Sequence, residues 1–294
     1  MSAPILSING QRVDAATATV SALDRGFLYG DGVFEVLRAY GGIPHALEEH
    51  LGRLRASAAQ VGLSLPVPLA QLRVEVCELL ADLGAVDAHV RLVVTRGRGD
   101  LGVAPHNAHA PTRMIVATPL IAVTRSRYTD GVRAATVRLP QLAARGALSG
   151  AKTLNYLANV VWMQQARAQG FDEALLVAHG DVVVEAATAN VFVVSGHDVM
   201  TPATEVGALP GVTRAAVLAC ASSAGVRARE GRVTLADLWT ADEVFLTSSV
   251  RELVPVVRVD DHEVGEGRPG EVTRALHRAY RATTPAVGVA MPWV

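Results

Sequence analysis

Apolar and polar positions alternate through "APILSINGQRVDA" on either side of an Asn-Gly step, and this pattern predicts an N-terminal β-hairpin. The period then changes. Leu47, Leu51, Leu54 and Ala58 recur at helical spacing through "ALEEHLGRLRASAAQV", and "LAQLRVEVCELLADLG" repeats the pattern before Gly84, so two helices are expected to follow the hairpin. "AHVRLVVTRG" and "TRMIVATPL" read as strands bounding the Gly-rich loop "GRGDLGVAPHNAHAP". Together they predict a small first domain over residues 1–118.

The polar stretch "IAVTRSRYTDG" ends in Asp-Gly and is the expected linker, at about residues 119–130, with a larger domain over 131–294. There the pattern predicts a strand in "VRAATVRL", a loop holding Lys152, and a helix through "LNYLANVVWMQQARAQG" stopped by Gly170. "EALLVAHGDVVVEAATANVFVVSG" reads as three short strands with a His-Gly-Asp turn, and "LPGVTRAAVLACASSAG" as a loop opening a helix. Strands in "DEVFLTSSVRELVPVVRVDDHEV" and a last helix, "GEVTRALHRAYRA", complete a two-domain α/β (α+β) chain without repeats.

Composition narrows the function. At 294 residues the chain is long for one core, and with half its residues hydrophobic it has apolar surface that a subunit interface would cover, so an oligomer is expected. A net charge of −1, with arginines scattered among acids, argues against nucleic acid and for a small-molecule partner. Cys77 and Cys220 are too few for a disulfide framework and have no metal-ligand spacing. The opening "MSAPILSING" lacks the pattern of a leader, and no run of 18 apolar residues spans a bilayer, so a cytoplasmic protein is expected.

Among 27 lysines and arginines, Lys152 is the one lysine. Arginine keeps its proton at working pH, whereas a desolvated lysine amine can attack a carbonyl, so the two are not interchangeable in Schiff-base chemistry. An incidental surface lysine is the competing reading from the count alone. A carbonyl cofactor such as pyridoxal phosphate also needs an anion site and a partner for its ring nitrogen. Gly211, Val212 and Thr213 open an apolar helix whose amides favour phosphate, or form an ordinary cap. Ser248 and Ser249 follow the strand "EVFL", where hydroxyls and amides could complete an anion nest. Glu185 ends "VVVE" ahead of small residues that would admit a flat ring; a solvated strand-end glutamate is the commoner fate. Arg53, beside Leu54 on its helix, could reach a phosphate or lie on the surface.

Taken in order, "DRGFLYGDGVFEVLR", "HLGRL", "KTLNYLANV", "EAATANVFVV", "LPGVTR" and "FLTSSVRELVPV" resemble the class IV aminotransferases, the pyridoxal-phosphate family of branched-chain and D-amino-acid aminotransferases and aminodeoxychorismate lyases. The resemblance spans about residues 5–281. It implies a fold-type IV enzyme with a small N-terminal α/β domain, a larger C-terminal pseudo-barrel domain, and a homodimer in which "GRGDLGVAPHN" serves the neighbouring subunit. By the same likeness Lys152 carries pyridoxal 5′-phosphate as a Schiff base, and Glu185 pairs with the ring nitrogen. Arg53, Val212, Thr213 and Ser249 hold the phosphate, and Tyr156 bonds the ring's phenolic oxygen.

Tyr29 and Phe34 resemble pocket residues of the family. His89 and Arg91, two apart on a strand, point to one face where Arg91 could meet a substrate carboxylate. Branched-chain enzymes place a tyrosine where His89 stands, and D-amino-acid enzymes an Arg-x-His pair where this loop has Arg98 and Asp100. The leading expectation is an aminotransferase that moves an amino group between an amino acid or amine and a 2-keto acid. In it Lys152 is anchor and base. The alternative is aminodeoxychorismate lyase, which releases pyruvate in the synthesis of 4-aminobenzoate for folate. Two further readings stand behind these, a non-catalytic cofactor-binding protein and a lysine aldolase without cofactor.

Overall fold

The structure, a computed structural model, describes residues 4–84, 86–140, 148–286 and 291–293. The chain forms two compact units, Met1–Ile121 with Ala151–Tyr156, and Ala122–Gly150 with Leu157–Val294. The short segment that carries Lys152 therefore belongs to the first unit, although most of its sequence neighbours belong to the second.

The first unit begins with the hairpin β1 (Ile5–Ile8) and β2 (Gln11–Val13). Asn9 and Gly10 turn it with φ of +53° and +85°, the left-handed pair that makes Asn-Gly the favoured turn. A short helix α1 (Arg25–Tyr29), capped by the Asp24 side chain, leads into β3 (Gly32–Tyr40) and β4 (Ile43–Pro44). The helices α2 (Leu47–Gln60) and α3 (Leu69–Leu83) follow, then β5 (Ala88–Thr95) and β6 (Arg113–Pro119). The six strands form one antiparallel sheet in the order β2-β1-β6-β5-β3-β4. Val33, Leu37, Val90, Leu92 and Ile115 on one face pack with Leu51, Leu54, Leu72, Val76 and Leu79 of the helices into a single core.

The hydrophobic pattern predicts two helices directly after the hairpin, but α1 and β3 intervene. The pattern conceals β3 because two charges, Glu35 and Arg38, stand inside an apolar run, and yet both are buried. β3 also organises the lysine segment. The Phe34 amide donates to the Lys152 carbonyl (3.0 Å), the Leu154 amide donates to the Gly32 carbonyl (3.0 Å), and Val33 and Thr153 form an antiparallel bridge.

The second unit opens with a short helix α4 (Ser126–Thr129) and β7 (Val132–Arg138). Its next helix, α5 (Leu157–Ala168), starts three residues later than the spacing of "LNYLANV" predicts, because strand-like pairing to β3 takes Leu154 out of the helix. The strands β8 (Glu173–Ala178), β9 (Val182–Ala186) and β10 (Asn190–Ser195) are the predicted three, with Gly180 at the turn, and β11 (Asp198–Pro202) follows. After α6 (Val212–Cys220) come β12 (Arg227–Gly231), α7 (Leu235–Trp239), β13 (Glu243–Ser248), β14 (Glu252–Val259), β15 (His262–Glu263) and α8 (Glu271–Arg281).

Eight strands run in the order β12-β11-β10-β13-β14-β7-β8-β9, with β15 on β14. β9, at the far end of that path, turns straight into β10 through an Ala186 amide bonded to the Ala189 carbonyl, so the sheet curls back on itself. The parallel pairs β7–β8 and β7–β14 explain why "EALLVA" reads as unbroken apolar sequence: a strand covered on both faces has no polar side to show. Phe192 and Phe245 stack at 4.8 Å in the core against α6 and α8.

Candidate active site

In the first unit the Lys152 amine stands half-buried among aromatic rings. Its Nζ lies 3.0 Å from the Tyr156 hydroxyl and 4.5 Å from the centre of the Phe34 ring. Phe34, itself buried, meets Tyr156 edge-to-face at 5.0 Å. The backbone beneath is fixed twice, by the β3 pairing and by a 3.0 Å bond from the Lys152 amide to the Ser57 hydroxyl of α2. No carboxylate pairs with Lys152 among the described residues.

Phe34, Val36 and Arg38 occupy the sheet face opposite the helices, in register with Val93, Arg91 and His89 of β5. The predicted sharing of one face by His89 and Arg91 is what the register gives. The Arg91 guanidinium covers the Phe34 ring at 4.1 Å and has no hydrogen bond or ion pair among the described residues. Burial pulls its pKa down, with the Tyr156 phenol opposing. Burial, then the charge of Arg91, also lowers His89, which favours its neutral form. This corner of the unit therefore holds an unneutralised guanidinium against an aromatic floor, an arrangement suited to a carboxylate.

On the helix side of the same sheet, Arg53 is neither a surface arginine nor isolated. Its Nε and Nη2 each donate to one oxygen of Glu35, both at 2.7 Å, and His50 Nδ1 lies 2.8 Å from Glu35 Oε2. Burial would raise the Glu35 carboxyl, but the hydrogen bonds from Arg53 and His50, with their charge, hold it at about 2. Tyr29, on α1, accepts a 2.8 Å bond from the Gly102 amide, with Arg25 over its ring. Arg98 is exposed and joins the backbone bridges to Asp24 and His109.

In the second unit Glu185 is buried rather than solvated at its strand end. It accepts bonds from the Leu209 amide (2.9 Å) and the Asn190 side chain (3.3 Å), and Asn190 also donates to the Leu209 carbonyl (2.9 Å). The carboxylate is thereby tied to the loop that opens α6. Gly211 is required there, because a Cβ would stand 2.0 Å from Asn190 Oδ1. No side chain among the described residues caps α6, and Thr213 is buried in its first turn beside half-buried Val212. An uncapped helix start with a hydroxyl in it is a suitable anion seat. Ser248 and Ser249 are half-buried. Arg251 braces their turn by donating to Ser248 Oγ (3.3 Å), to Thr188 Oγ1 (2.7 Å) and to the buried Glu173 (3.1 Å).

Sequence reasoning passes over Glu35, His50, Ser57, Asn190 and Arg251. One signal is present: alternation along β3 puts Glu35 on the face of Val33 and Leu37, and a carboxylate on a core face needs buried donors.

The family model of class IV amino-transferases matches residues 32–259, and the chain belongs to that family. It is 38% identical to a putative branched-chain-amino-acid aminotransferase of Methanocaldococcus jannaschii over 274 residues, covering 93% of this chain and 94% of that one. It is 34% identical to the D-alanine aminotransferase of Bacillus licheniformis over 277 residues, with 93% and 94% covered. In structure it is similar to the Escherichia coli branched-chain amino acid aminotransferase, with a TM-score of 0.90, 28% identity, and 98% and 97% coverage. The T.th. branched-chain amino acid aminotransferase with pyridoxamine 5′-phosphate matches at a TM-score of 0.90 and 29% identity, with 97% and 95% covered. The chain is thus a fold-type IV aminotransferase, of a family whose cofactor is pyridoxal 5′-phosphate.

Proposed function

We propose that this enzyme moves an amino group between a carboxylate-bearing amino acid and a 2-keto acid, with Lys152 as both cofactor anchor and proton carrier. The observation that carries the reading is the Lys152 amine, half-buried, bonded to a phenol and unpaired with any acid among the described residues. Only a neutral amine is a nucleophile or a base, and an amine that no carboxylate engages is open to an aldehyde carbon.

The donor set suits the cofactor: an amine for its aldehyde, a buried carboxylate for its ring nitrogen, and an uncapped helix start for its phosphate. When bound, pyridoxal 5′-phosphate supplies the aldehyde that takes up amines and the ring that draws off the electron pair of a broken C–H bond. Lys152 Nζ would hold the cofactor through its aldehyde, and the same amine would take and return the proton at the substrate's α carbon. Tyr156 fixes the position of that amine through its hydroxyl. Glu185 keeps a positive charge on the ring nitrogen, held in place by Asn190 and the Leu209 amide. Arg53, Val212, Thr213 and Ser249 bind the phosphate, with Gly211 and Ser248 shaping the backbone around it. Arg91 takes a substrate carboxylate, Phe34 forms the floor beneath it, and His89, Tyr29 and Arg98 border the substrate.

The working assembly in this reading is a homodimer, since Phe27, Leu101 and Val103 of the first unit are 73%, 75% and 85% exposed and a partner would cover them. Both cysteines are free thiols, which suits a reducing, cytoplasmic setting. Among the described residues no helix is long and apolar enough to cross a membrane. The test is a half-reaction. Individual L-amino acids, D-amino acids and (R)-amines are added to the cofactor-loaded enzyme, and the cofactor's conversion to its amine form is followed spectroscopically. Conversion by one class supports transfer, whereas pyruvate release from an aromatic amino-acid precursor with no amino acceptor would replace it with elimination.

A further inference from the structure

We infer that Glu35 is a positioning residue, which with His50 aims the Arg53 guanidinium and so sets the enzyme's affinity for the phosphate of its cofactor. The inference rests on the reading that Arg53 binds that phosphate.

The cluster is unusual for where it lies. Glu35 shares the face of β3 with Val33 and Leu37, inside the core formed with α2 and α3, and its residue is 0% exposed. His50 is 1% exposed and the Arg53 side chain 10%. Removing such charges from water is costly, and apolar residues of similar size would fill the space at lower cost, so packing alone does not account for the trio. What the trio provides is orientation. A guanidinium is planar with five N–H donors, and the two-point fork from Nε and Nη2 to Glu35 fixes both its plane and its rotation. The opposite edge, with both Nη1 protons and the second Nη2 proton, is then fixed as well. Glu35 is in turn prevented from rotating by His50 Nδ1 on Oε2, and because a carboxylate only accepts, Nδ1 carries the proton in that bond.

Two nearby residues, one on β3 and one on α2, link this orientation to the amine. Glu35 follows Phe34, whose amide bonds the Lys152 carbonyl, and Ser57, one helical turn beyond Arg53, takes the Lys152 amide. The fork therefore belongs to the same braced element as the catalytic lysine. Since Glu35 cancels the charge of Arg53, the guanidinium serves an anion through direction more than through net charge, and a misaimed fork should be costly to phosphate binding.

The experiment titrates the full-length apoenzyme with pyridoxal 5′-phosphate and with pyridoxal, which lacks the phosphate, and reads the lysine adduct by absorbance; wild type is compared with Glu35→Gln, Glu35→Asp and Arg53→Gln. Glu35→Gln should weaken pyridoxal 5′-phosphate about tenfold to a hundredfold, the usual cost of losing an orienting partner, and change pyridoxal less than about twofold. Glu35→Asp, which keeps the charge on a shorter stem, should fall between, and it decides the matter if the glutamine variant does not fold. Wild-type affinity for both aldehydes, or an equal loss of both, overturns the inference. Arg53→Gln separates the two levels: if it keeps the preference for phosphate, the assignment of Arg53 fails, whereas if it loses the preference and the Glu35 variants do not, only the role of Glu35 fails.

Discussion

Lys152 Nζ and the Tyr156 hydroxyl are 3.0 Å apart although no helical turn joins them; the four-residue spacing is bridged by a segment that pairs with β3 at Thr153 and bends at Leu154. Strand pairing, rather than helix geometry, places the phenol on the amine. Tyr156→Phe removes this one hydrogen bond and keeps the ring against Phe34. Steady-state kinetics should show kcat lower by about tenfold, the effect of one hydrogen bond of roughly 1–2 kcal/mol, with a melting temperature close to wild type.

Arg91 stacks on Phe34 at 4.1 Å and meets no acid among the described residues. Arg91→Gln should raise KM for amino acids and keto acids at least about tenfold, as expected for a lost charge-assisted bond. Simple amines without a carboxylate should be converted as by wild type. Equal losses for both substrate types would remove Arg91 from carboxylate recognition.

Glu35 ties stability to acid pH. Its carboxyl is held at about 2 in the folded chain against an ordinary value of 4.5. Because the folded value is depressed, the stabilisation is complete above 4.5 and is lost as pH falls from 4.5 towards 2, about 3 kcal/mol in all. Denaturant unfolding at pH 7 and stepwise from pH 5 to 2.5 should show Glu35→Gln less stable at neutral pH, with the gap to wild type closing as the acid limit is approached. A constant gap would contradict the linkage.

Gly211→Ala places a methyl group 2.0 Å from Asn190 Oδ1, in the contact that ties Glu185 to the start of α6. Overpacking of this kind costs about 1–3 kcal/mol, so thermal melts should fall by several degrees. Cofactor retention on gel filtration should fall with them. Asn190→Ala in the same background should recover part of the melting temperature, because it removes the atom with which the methyl collides.

Much of this is legible in the chain. Asn9-Gly10 specifies the hairpin, the spacing of Leu47, Leu51 and Leu54 specifies α2, and Lys152 is marked by its residue type alone. What escapes depends on contacts between distant positions. β3 is hidden because Glu35 reads as polar until Arg53 and His50 of α2 are brought to it. The start of α5 is misread because Leu154 bonds Gly32, far back in sequence, and a local pattern carries no trace of that bond. Glu185 can be singled out in "VVVEAATAN", but the Asn190 and Leu209 contacts that hold it arise from a curl of the sheet and the path of a loop.

Because the chain has a single lysine, the anchoring residue can be located chemically without ambiguity among side chains. The enzyme is loaded with pyridoxal 5′-phosphate, reduced with borohydride, digested, and the pyridoxyl-bearing peptide identified by mass. The label is predicted on Lys152, at close to one per chain; label confined to the N-terminal amine, or none after complete reduction, would contradict the account.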